Sequence, residues 1–240
     1  MSHARARIVI GSFLGAATAC VAAADLNQLQ RLGTQSTFRS LTEDLGAALS
    51  YKSLSPATPL GVTGFDVGVD ASFTRMNSTA FATASNSSVS TLPLARIRVQ
   101  KGLPFDTDVG LSYTQVPGTN IKLWGGEIRY AILAGGVAAP AVAVRGSYSR
   151  LSGVDQLDFD TKGLEVLVSK GFIGLTPYGG VGRVWANGTP RNLVGFSSES
   201  VGLNKVFAGV NFGVGLFAVG GEFDRIGSSN TYSVKAAVRW

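Results

Sequence analysis

Strict alternation of apolar and polar residues in the last ten positions, TYSVKAAVRW, is the feature that most constrains the fold. An extended strand would carry one set on each face, which requires two different environments. The same two-residue period recurs from Gly61 onward in segments of about ten residues, the length that a tilted strand needs to cross a bilayer. The sequence therefore predicts an all-β fold, an antiparallel transmembrane β-barrel of about ten strands with a short N-terminal helical segment.

Composition and connections favour lipid over a soluble core. Charged residues make up 15% of the chain and hydrophobic residues 45%, whereas soluble domains average roughly 25% charged residues. The links between predicted strands alternate between long ones such as NSTAFATASNSSVS and short ones such as QKGLP. Outer-membrane barrels have long external loops and short periplasmic turns, so the pattern predicts a Gram-negative outer-membrane location.

The N-terminus predicts export. Arg5 and Arg7 precede an apolar stretch, and Ala22-Ala23-Ala24 forms a cleavage site, so residues 1–24 are predicted to be a cleaved signal peptide. Lipidation at Cys20 stays an alternative, although Ala17 stands where a lipobox usually has Leu. The predicted organisation is thus a signal peptide over 1–24, a periplasmic or plug segment over 25–60 and a barrel over 61–240.

Residues 25–60 differ from the rest in their periodicity. Ser40 and Glu43 have the spacing of a capping box, and Leu41, Leu45 and Leu49 form one apolar stripe, which favours a short helix. Residues 38–52 also fit the alternating pattern of a strand, so the sequence leaves an additional strand as the alternative to the helix. As a helix, this segment is expected to place its stripe at or in the periplasmic mouth.

Aromatic residues on the apolar faces fall near the ends of the predicted strands, as the two girdles of a membrane barrel do. The predicted interface aromatics are Phe65, Phe73, Tyr113, Trp124, Tyr130, Tyr148, Tyr178, Phe212, Phe217, Phe223, Tyr232 and Trp240.

The alternating region with its terminal Trp240 resembles a bacterial outer-membrane β-barrel protein, in which a terminal aromatic commonly completes the assembly signal. The stretch EDLGAALSYKSLSPATPLGVTGFDVGVD is similar to the opening of a family of such proteins without known activity. The resemblance implies location and fold, and it implies that the last strand binds the barrel-assembly machinery.

The opposite faces of the predicted strands carry acids and bases in equal number. The predicted lumen-facing residues are Asp66, Asp70, Arg96, Arg98, Asp106, Asp108, Glu127, Arg129, Arg145, Glu165, Arg183, Lys205, Glu222, Asp224, Lys235 and Arg239. A ten-stranded barrel is narrow and unpaired buried charge is costly, so these groups suit either a narrow passive channel for small solutes or a paired structural core. The channel is the predicted function. The alternative is a non-conducting structural or surface-interaction (adhesin-like) barrel that acts through loops 77–90 and 187–200.

Enzyme activity is not expected. The only histidine, His3, and the only cysteine, Cys20, fall in the predicted signal peptide, which excludes a nucleophile–histidine pair in the mature chain. Gly213–Ala218 matches part of a dinucleotide motif but is predicted to be a turn, and the acidic loop at Asp155, Asp158 and Asp160 lacks the spacing of a calcium loop. No cofactor, metal or nucleic acid is expected, and the expected partners are outer-membrane lipid and possible small solutes.

Overall fold

The protein is a closed barrel of ten antiparallel strands in the computed structural model, which describes residues 26, 28–86, 90–116 and 119–240. Each strand pairs with its neighbours in the chain, and the first strand closes the barrel by pairing with the last. This confirms the predicted fold. The strands are β1 (Phe65–Arg75), β2 (Thr91–Leu103), β3 (Thr107–Gln115), β4 (Lys122–Leu133), β5 (Ala141–Ser152), β6 (Leu157–Ser169), β7 (Leu175–Pro190), β8 (Glu199–Val214), β9 (Phe217–Ile226) and β10 (Ser229–Arg239).

The two ends of the barrel differ in their connections. We call the end with connections 76–90, 116–121, 153–156, 191–198 and 227–228 the loop end, and the end with connections 104–106, 134–140, 170–174 and 215–216 the turn end. The predicted long–short alternation is not uniform, because β5 to β8 extend into stretches that the sequence pattern assigns to loops. Residues 187–190 and 199–200, for example, belong to strands. The Gly213–Ala218 motif spans the turn between β8 and β9, where Gly215 has a φ of 59°.

Helices occupy residues 29–32 and 35–49 before the barrel, which confirms the predicted N-terminal helix. A 3-10 helix (Leu29–Leu32) is followed by α1 (Gln35–Leu49), and a short α2 (Ala80–Ser85) lies in the connection between β1 and β2. The predicted cap at Ser40 is wrong, because α1 begins earlier and the Thr34 hydroxyl accepts a hydrogen bond from the Thr37 amide at 3.3 Å. Ser40 lies within the helix and donates its hydroxyl to the Ser36 carbonyl instead.

The helix α1 lies at the loop end, which corrects the expectation that it would lie at the mouth with the short turns. Asp44 accepts hydrogen bonds from Asn77 and Ser78 in the connection between β1 and β2, and Phe38 contacts Phe196 in the connection between β7 and β8. The physical reason is the complementary apolar surface at this end. The leucine stripe of α1 packs there against inward-facing side chains, which include Leu94, Leu123, Leu151, Leu157, Phe159 and Val201.

Residues 50–60 continue from α1 through the lumen to the turn end. The Leu60 amide bonds to Asp108 near the β2–β3 turn, and the Gly102 amide bonds to the Gly64 carbonyl before β1 begins. Gly102 is required here, because a Cβ at this position would lie 1.9 Å from the carbonyl oxygen of Gly61. The chain therefore enters the lumen at the loop end, leaves it at the turn end and then returns along β1.

The outside of the barrel is apolar and the inside is layered. Valine, isoleucine and leucine side chains are exposed on every strand except β5, where Val142 and Val144 are half-buried; the exposed ones include Val69, Ile97, Leu111, Ile128, Val166, Val181, Val206, Val219 and Val234. Inside, the apolar cluster at the loop end is followed by a charged layer, and β4 to β8 add a smaller apolar cluster around Leu167 and Phe207. No helix among the described residues is both long enough and apolar enough to cross a membrane. The predicted signal peptide and Cys20 lie outside the described residues.

Candidate functional site

The candidate site is the lumen, where most of the predicted charged residues meet. Asp66, Asp70, Arg96, Arg98, Asp108, Glu127, Arg129, Arg145, Glu165, Lys205, Glu222, Asp224 and Lys235 are buried inside the barrel. Arg239 lies at the turn end and is partly exposed, with its guanidinium bonded to Asp66 at 2.6 Å.

Two predicted lumen residues lie elsewhere. Asp106 is exposed in the turn between β2 and β3, because β3 begins only at Thr107. Arg183 is exposed on the outer surface between Val181 and Trp185. The prediction failed in β7 because its glycines leave few side chains to define the alternation, and the inward set there is Tyr178, Val184 and Ala186.

A carboxylate held by two cations forms the centre of the charged layer. Glu165 on β6 accepts hydrogen bonds from the Arg145 guanidinium and, at 2.8 Å, from the Lys205 ammonium. Arg145 also lies 3.7 Å from Glu127, so these four side chains join β4, β5, β6 and β8. All four are buried. Since each buried charge needs a partner, loss of Glu165 would leave Lys205 without an ion pair and Arg145 with only its longer contact to Glu127.

A second group of ion pairs lies on the other side of the lumen. Asp66 on β1 pairs with Lys235 at 3.2 Å and with Arg239, and Asp70 pairs with Arg96 at 2.7 Å. On β3 and β4, Asp108 pairs with Arg129. Asp66 and Arg239, Asp70 and Arg96, and Asp108 and Arg129 are directly opposite in the strand register, which therefore brings these charges together. Lys235 is opposite Asp70 and reaches Asp66 from four positions along the register.

The lumen segment, which we define as residues 50–60, inserts its polar groups into this charged layer. The Lys52 ammonium pairs with Asp224 at 2.8 Å, Ser53 donates to Glu127 at 2.9 Å, and Ser55 donates to Gln100 at 2.8 Å. These contacts reach β9, β4 and β2. The middle of the segment is therefore fixed from several sides of the barrel.

The backbone of the lumen segment is bonded as well. Arg129 donates to the Pro56 carbonyl at 2.6 Å, and Asn211 donates to the Leu54 carbonyl at 3.2 Å. The Ala57 amide donates to the Ser169 hydroxyl at 3.0 Å. Backbone groups of an extended segment need partners when buried, and the strand side chains supply them here. The side chains that line the lumen can therefore bind an extended peptide segment through hydrogen bonds to its backbone.

Several buried polar atoms in the charged layer have no hydrogen-bond partner among the described residues. They include Nε and Nη1 of Arg98, the Tyr51 hydroxyl and Oε1 of Glu222. Arg98 donates only Nη2 to a side chain, the Ser55 hydroxyl at 3.2 Å. Polar atoms of this kind commonly bond ordered water, so we expect water beside the lumen segment.

The predicted interface aromatics lie on the outer surface with one exception. Phe65, Phe73, Tyr113, Trp124, Tyr130, Tyr148, Phe212, Phe217, Phe223, Tyr232 and Trp240 are exposed or half-exposed there. Phe65 stacks on Trp240 at 5.3 Å, and Phe223 contacts Tyr232 at 5.1 Å. The assignment of Tyr178 is wrong, because this residue faces the lumen and donates its hydroxyl to Glu222 at 2.9 Å.

Replacing Tyr178 with Phe should destabilise the barrel by about 1–3 kcal/mol, because the carboxylate of buried Glu222 would lose a hydrogen-bond donor. The measurement is urea-induced unfolding of the protein refolded in lipid vesicles. Tyr130→Phe is the matched control, since Tyr130 is 52% exposed whereas Tyr178 is 5% exposed. An equal effect of the two substitutions would contradict this role of Tyr178.

Sequence reasoning predicted that Glu127, Arg129 and Asp224 face the lumen but missed that they bind the lumen segment. The sequence pattern includes Lys52, Ser53 and Ser55 only in the segment as a whole, and it gives Gln100 and Asn211 no role beyond that of inward polar residues. Gln100 is an even number of residues from Arg96 and Arg98 on the same strand, so the sequence could have placed it on the same inward face. The inward apolar residue Leu94 is also an even number of residues from them, so the apolar cluster at the loop end could also have been inferred.

Asp158 and Asp160, which the sequence pattern assigns to a loop, lie in β6 and make separate contacts. Asp158 pairs with Arg191, and Asp160 accepts a hydrogen bond from Asn187 at 3.0 Å. Among the described residues no group of three or more histidines, cysteines, aspartates or glutamates is arranged to hold a metal ion.

Solved structures similar to this barrel are bacterial outer-membrane barrels. The N-terminal β-barrel domain of Pseudomonas aeruginosa OprF is 14% identical over 75% of this chain and 99% of its own, with a TM-score of 0.39. The translocator domain of the autotransporter NalP from Neisseria meningitidis is 12% identical over 91% of this chain and 99% of its own, with a TM-score of 0.42.

The Acinetobacter baumannii outer membrane protein Omp33 is 9% identical over 75% of this chain and 100% of its own, with a TM-score of 0.31. No protein-family model and no curated protein matches the chain. The architecture alone therefore defines the class of this protein, which is a closed ten-stranded barrel with an apolar exterior and a charged interior.

Proposed function

We propose that this protein is an outer-membrane β-barrel that its own N-terminal segment keeps closed to solutes, and that it acts at the cell surface through the structure at its loop end. The observation that carries the proposal is the lumen segment, whose side chains and backbone bond to strands around the barrel. A solute would have to displace these contacts to pass. This favours the non-conducting surface barrel over the narrow channel.

Apolar side chains that are exposed on nine of the ten strands support the membrane location. A soluble protein rarely exposes a continuous apolar surface, whereas a membrane barrel has an apolar band about 25 Å tall. Aromatic residues border this band at both ends, as interface residues do. Short turns are periplasmic in such barrels, so the loop end faces outward in this proposal.

The loop end is ordered by packing, which suits a surface that other molecules contact. The 3-10 helix, α1 and α2 form a cap over the lumen, and Phe81 of α2 is buried in it. Asp44 joins α1 to the β1–β2 connection and to Ser229 of β10. Gln35 donates to Glu199 at 2.6 Å and so joins α1 to β8. The cap and the 191–198 connection are the proposed interaction surface.

Cysteine labelling in intact cells tests the orientation. A membrane-impermeant maleimide should label Glu43→Cys on the cap, and it should label Val137→Cys at the turn end only after the cells are broken. Val137 is fully exposed and the Glu43 side chain is 39% exposed, and neither side chain bonds to the lumen segment. The reverse pattern of labelling would reject the outward-facing loop end.

Planar-bilayer recording tests closure. The refolded chain of residues 25–240 should give no steady unitary current, because the lumen segment occupies the pathway. Steady unitary currents from this chain, with folding verified by circular dichroism, would reject closure and favour a narrow channel for small solutes.

A further inference from the structure

We infer that the outer surface of β5, β6 and β7 carries a binding site for the phosphate groups of outer-leaflet lipid. The site is the basic patch, defined as Arg150, Lys162 and Arg183. All three side chains are exposed on the outside of the barrel, and none has an ion pair or hydrogen bond among the described residues. The inference rests on the membrane location proposed above and adds a ligand that this location does not require.

The strand register makes the three cations contiguous. Lys162 is opposite Tyr148 on β5 and opposite Trp185 on β7. Arg150 is two positions beyond Tyr148 toward the loop end, and Arg183 is two positions before Trp185 toward the turn end, so both are diagonal neighbours of Lys162, at about 7–8 Å. One phosphate can therefore be approached by two of the three cations.

The patch lies at the boundary between the apolar band and the loop end. On the turn-end side of it, Val166 and Val181 are exposed, as expected of residues that face lipid chains, and exposed Leu164 is opposite Arg183. Trp124 and Tyr148 lie beside it, with ring centroids 5.7 Å apart, as expected of the aromatic girdle. Lipid phosphates occupy this depth of a bilayer, and a peripheral protein does not reach it.

Arg183 shows which way the patch is directed. A Cβ at Gly202 would lie 2.8 Å from Nη2 of Arg183, so the guanidinium lies over the glycine. Gly202 is two positions nearer the loop end than Asn204, the register partner of Arg183. The side chain thus extends from the apolar band toward the headgroups, as a snorkelling arginine does.

The nearby acid leaves the patch strongly basic. Asp160 is opposite Arg150 in the register, but its carboxylate accepts its hydrogen bond from Asn187 and forms no ion pair with Arg150. Asp158, two positions nearer the loop end on the same face of β6, is paired with Arg191, so the charges without an ion pair here are three cations and the carboxylate of Asp160. A guanidinium can donate two parallel hydrogen bonds to the oxygens of one phosphate. This geometry favours binding of a single phosphate group over a general attraction to a negatively charged membrane surface.

The test measures how well brominated lipids quench tryptophan fluorescence. The chain has three tryptophans, and Trp240→Phe leaves Trp124 and Trp185, both beside the patch. The refolded Trp240→Phe protein is placed in bilayers that contain either brominated phosphatidylcholine or brominated phosphatidic acid. We expect phosphatidic acid to be favoured at the patch on the order of tenfold.

Substitutions that remove charge test whether the basic patch causes the preference for phosphatidic acid. Arg150→Gln, Lys162→Gln and Arg183→Gln together should abolish it, whereas Arg31→Gln, Arg39→Gln and Arg191→Gln, which remove the same charge from the cap and a loop, should keep it. Gly202→Ala should reduce it by displacing the Arg183 guanidinium.

Two outcomes would overturn the inference in different ways. An unchanged preference in the patch variant, or an equal loss in the control, would reject the lipid-phosphate site while strong quenching by both lipids still supports the membrane location. Failure of both lipids to quench the two tryptophans would reject the membrane location, and the lipid site with it.

Discussion

Deletion of residues 26–60 should turn a silent barrel into a conducting one. The deletion removes the cap helix α1 together with the lumen segment, which contribute Leu41 and Leu45 to the apolar cluster and Lys52, Ser53 and Ser55 to the charged layer. What remains is a ring of ten strands lined at mid-height by charged side chains. We expect steady unitary currents from the deletion variant in a planar bilayer, and none from the chain of residues 25–240.

Two further variants test the same prediction in case the deletion variant fails to fold. Lys52→Ala with Ser53→Ala and Ser55→Ala keeps the segment but removes its side-chain bonds, and it should give brief openings. A chain with a shortened 191–198 connection keeps all lumen contacts of residues 50–60 and should stay silent. Silence from the deletion variant, with β-sheet content equal to that of the parent chain, would contradict the role of the segment as the closing element.

Glu165→Gln should lower the free energy of unfolding by about 3–5 kcal/mol, the cost of breaking a buried ion pair from one side. Arg145 and Lys205 both depend on this carboxylate, and neither can reach bulk water from inside the barrel. The neutral amide keeps the size of the side chain but leaves two buried cations without their shared partner. Urea-induced unfolding in lipid vesicles measures the free energy of unfolding.

Asp158→Asn is the control for that experiment. Asp158 also pairs with an arginine, Arg191, but the two side chains are 37% and 50% exposed. Exposed ion pairs contribute up to about 1 kcal/mol, so the control should change the free energy of unfolding little. Similar effects of the two substitutions would mean that the charged layer is hydrated enough to screen Glu165.

The strands of this barrel could be predicted because lipid imposes a strict two-residue period on one face. Val206, Ala208, Val210 and Phe212 on β8 are of this kind, and Lys205 opposes them as expected. The period is lost in β7, where glycines separate the informative side chains, and there the pattern assigns Tyr178 and Arg183 to the wrong faces. Alternation identifies two environments but needs enough side chains to assign them.

The position of the N-terminal segment could not be predicted from its own pattern. The Leu41, Leu45 and Leu49 stripe indicates a helix that packs on an apolar surface, but either mouth of the barrel could supply one. The surface is made by single residues from many strands, such as Leu94, Leu123 and Phe159, each of which looks like an exception in its own strand. Only the assembled barrel brings them together at the loop end.

The most direct test of the central claim is a disulfide between the lumen segment and the barrel wall. The hydroxyls of Thr58 and Ser169 are 3.3 Å apart. Residues 25–240 contain no native cysteine, so two introduced cysteines can pair only with each other within the chain. Thr58→Cys with Ser169→Cys should form this cross-link in membranes under mild oxidation, whereas Thr58→Cys with Ser149→Cys should not, as seen by mass spectrometry of the digested protein. A folded barrel in which the Thr58–Ser169 pair stays reduced would contradict a lumen filled by its own chain.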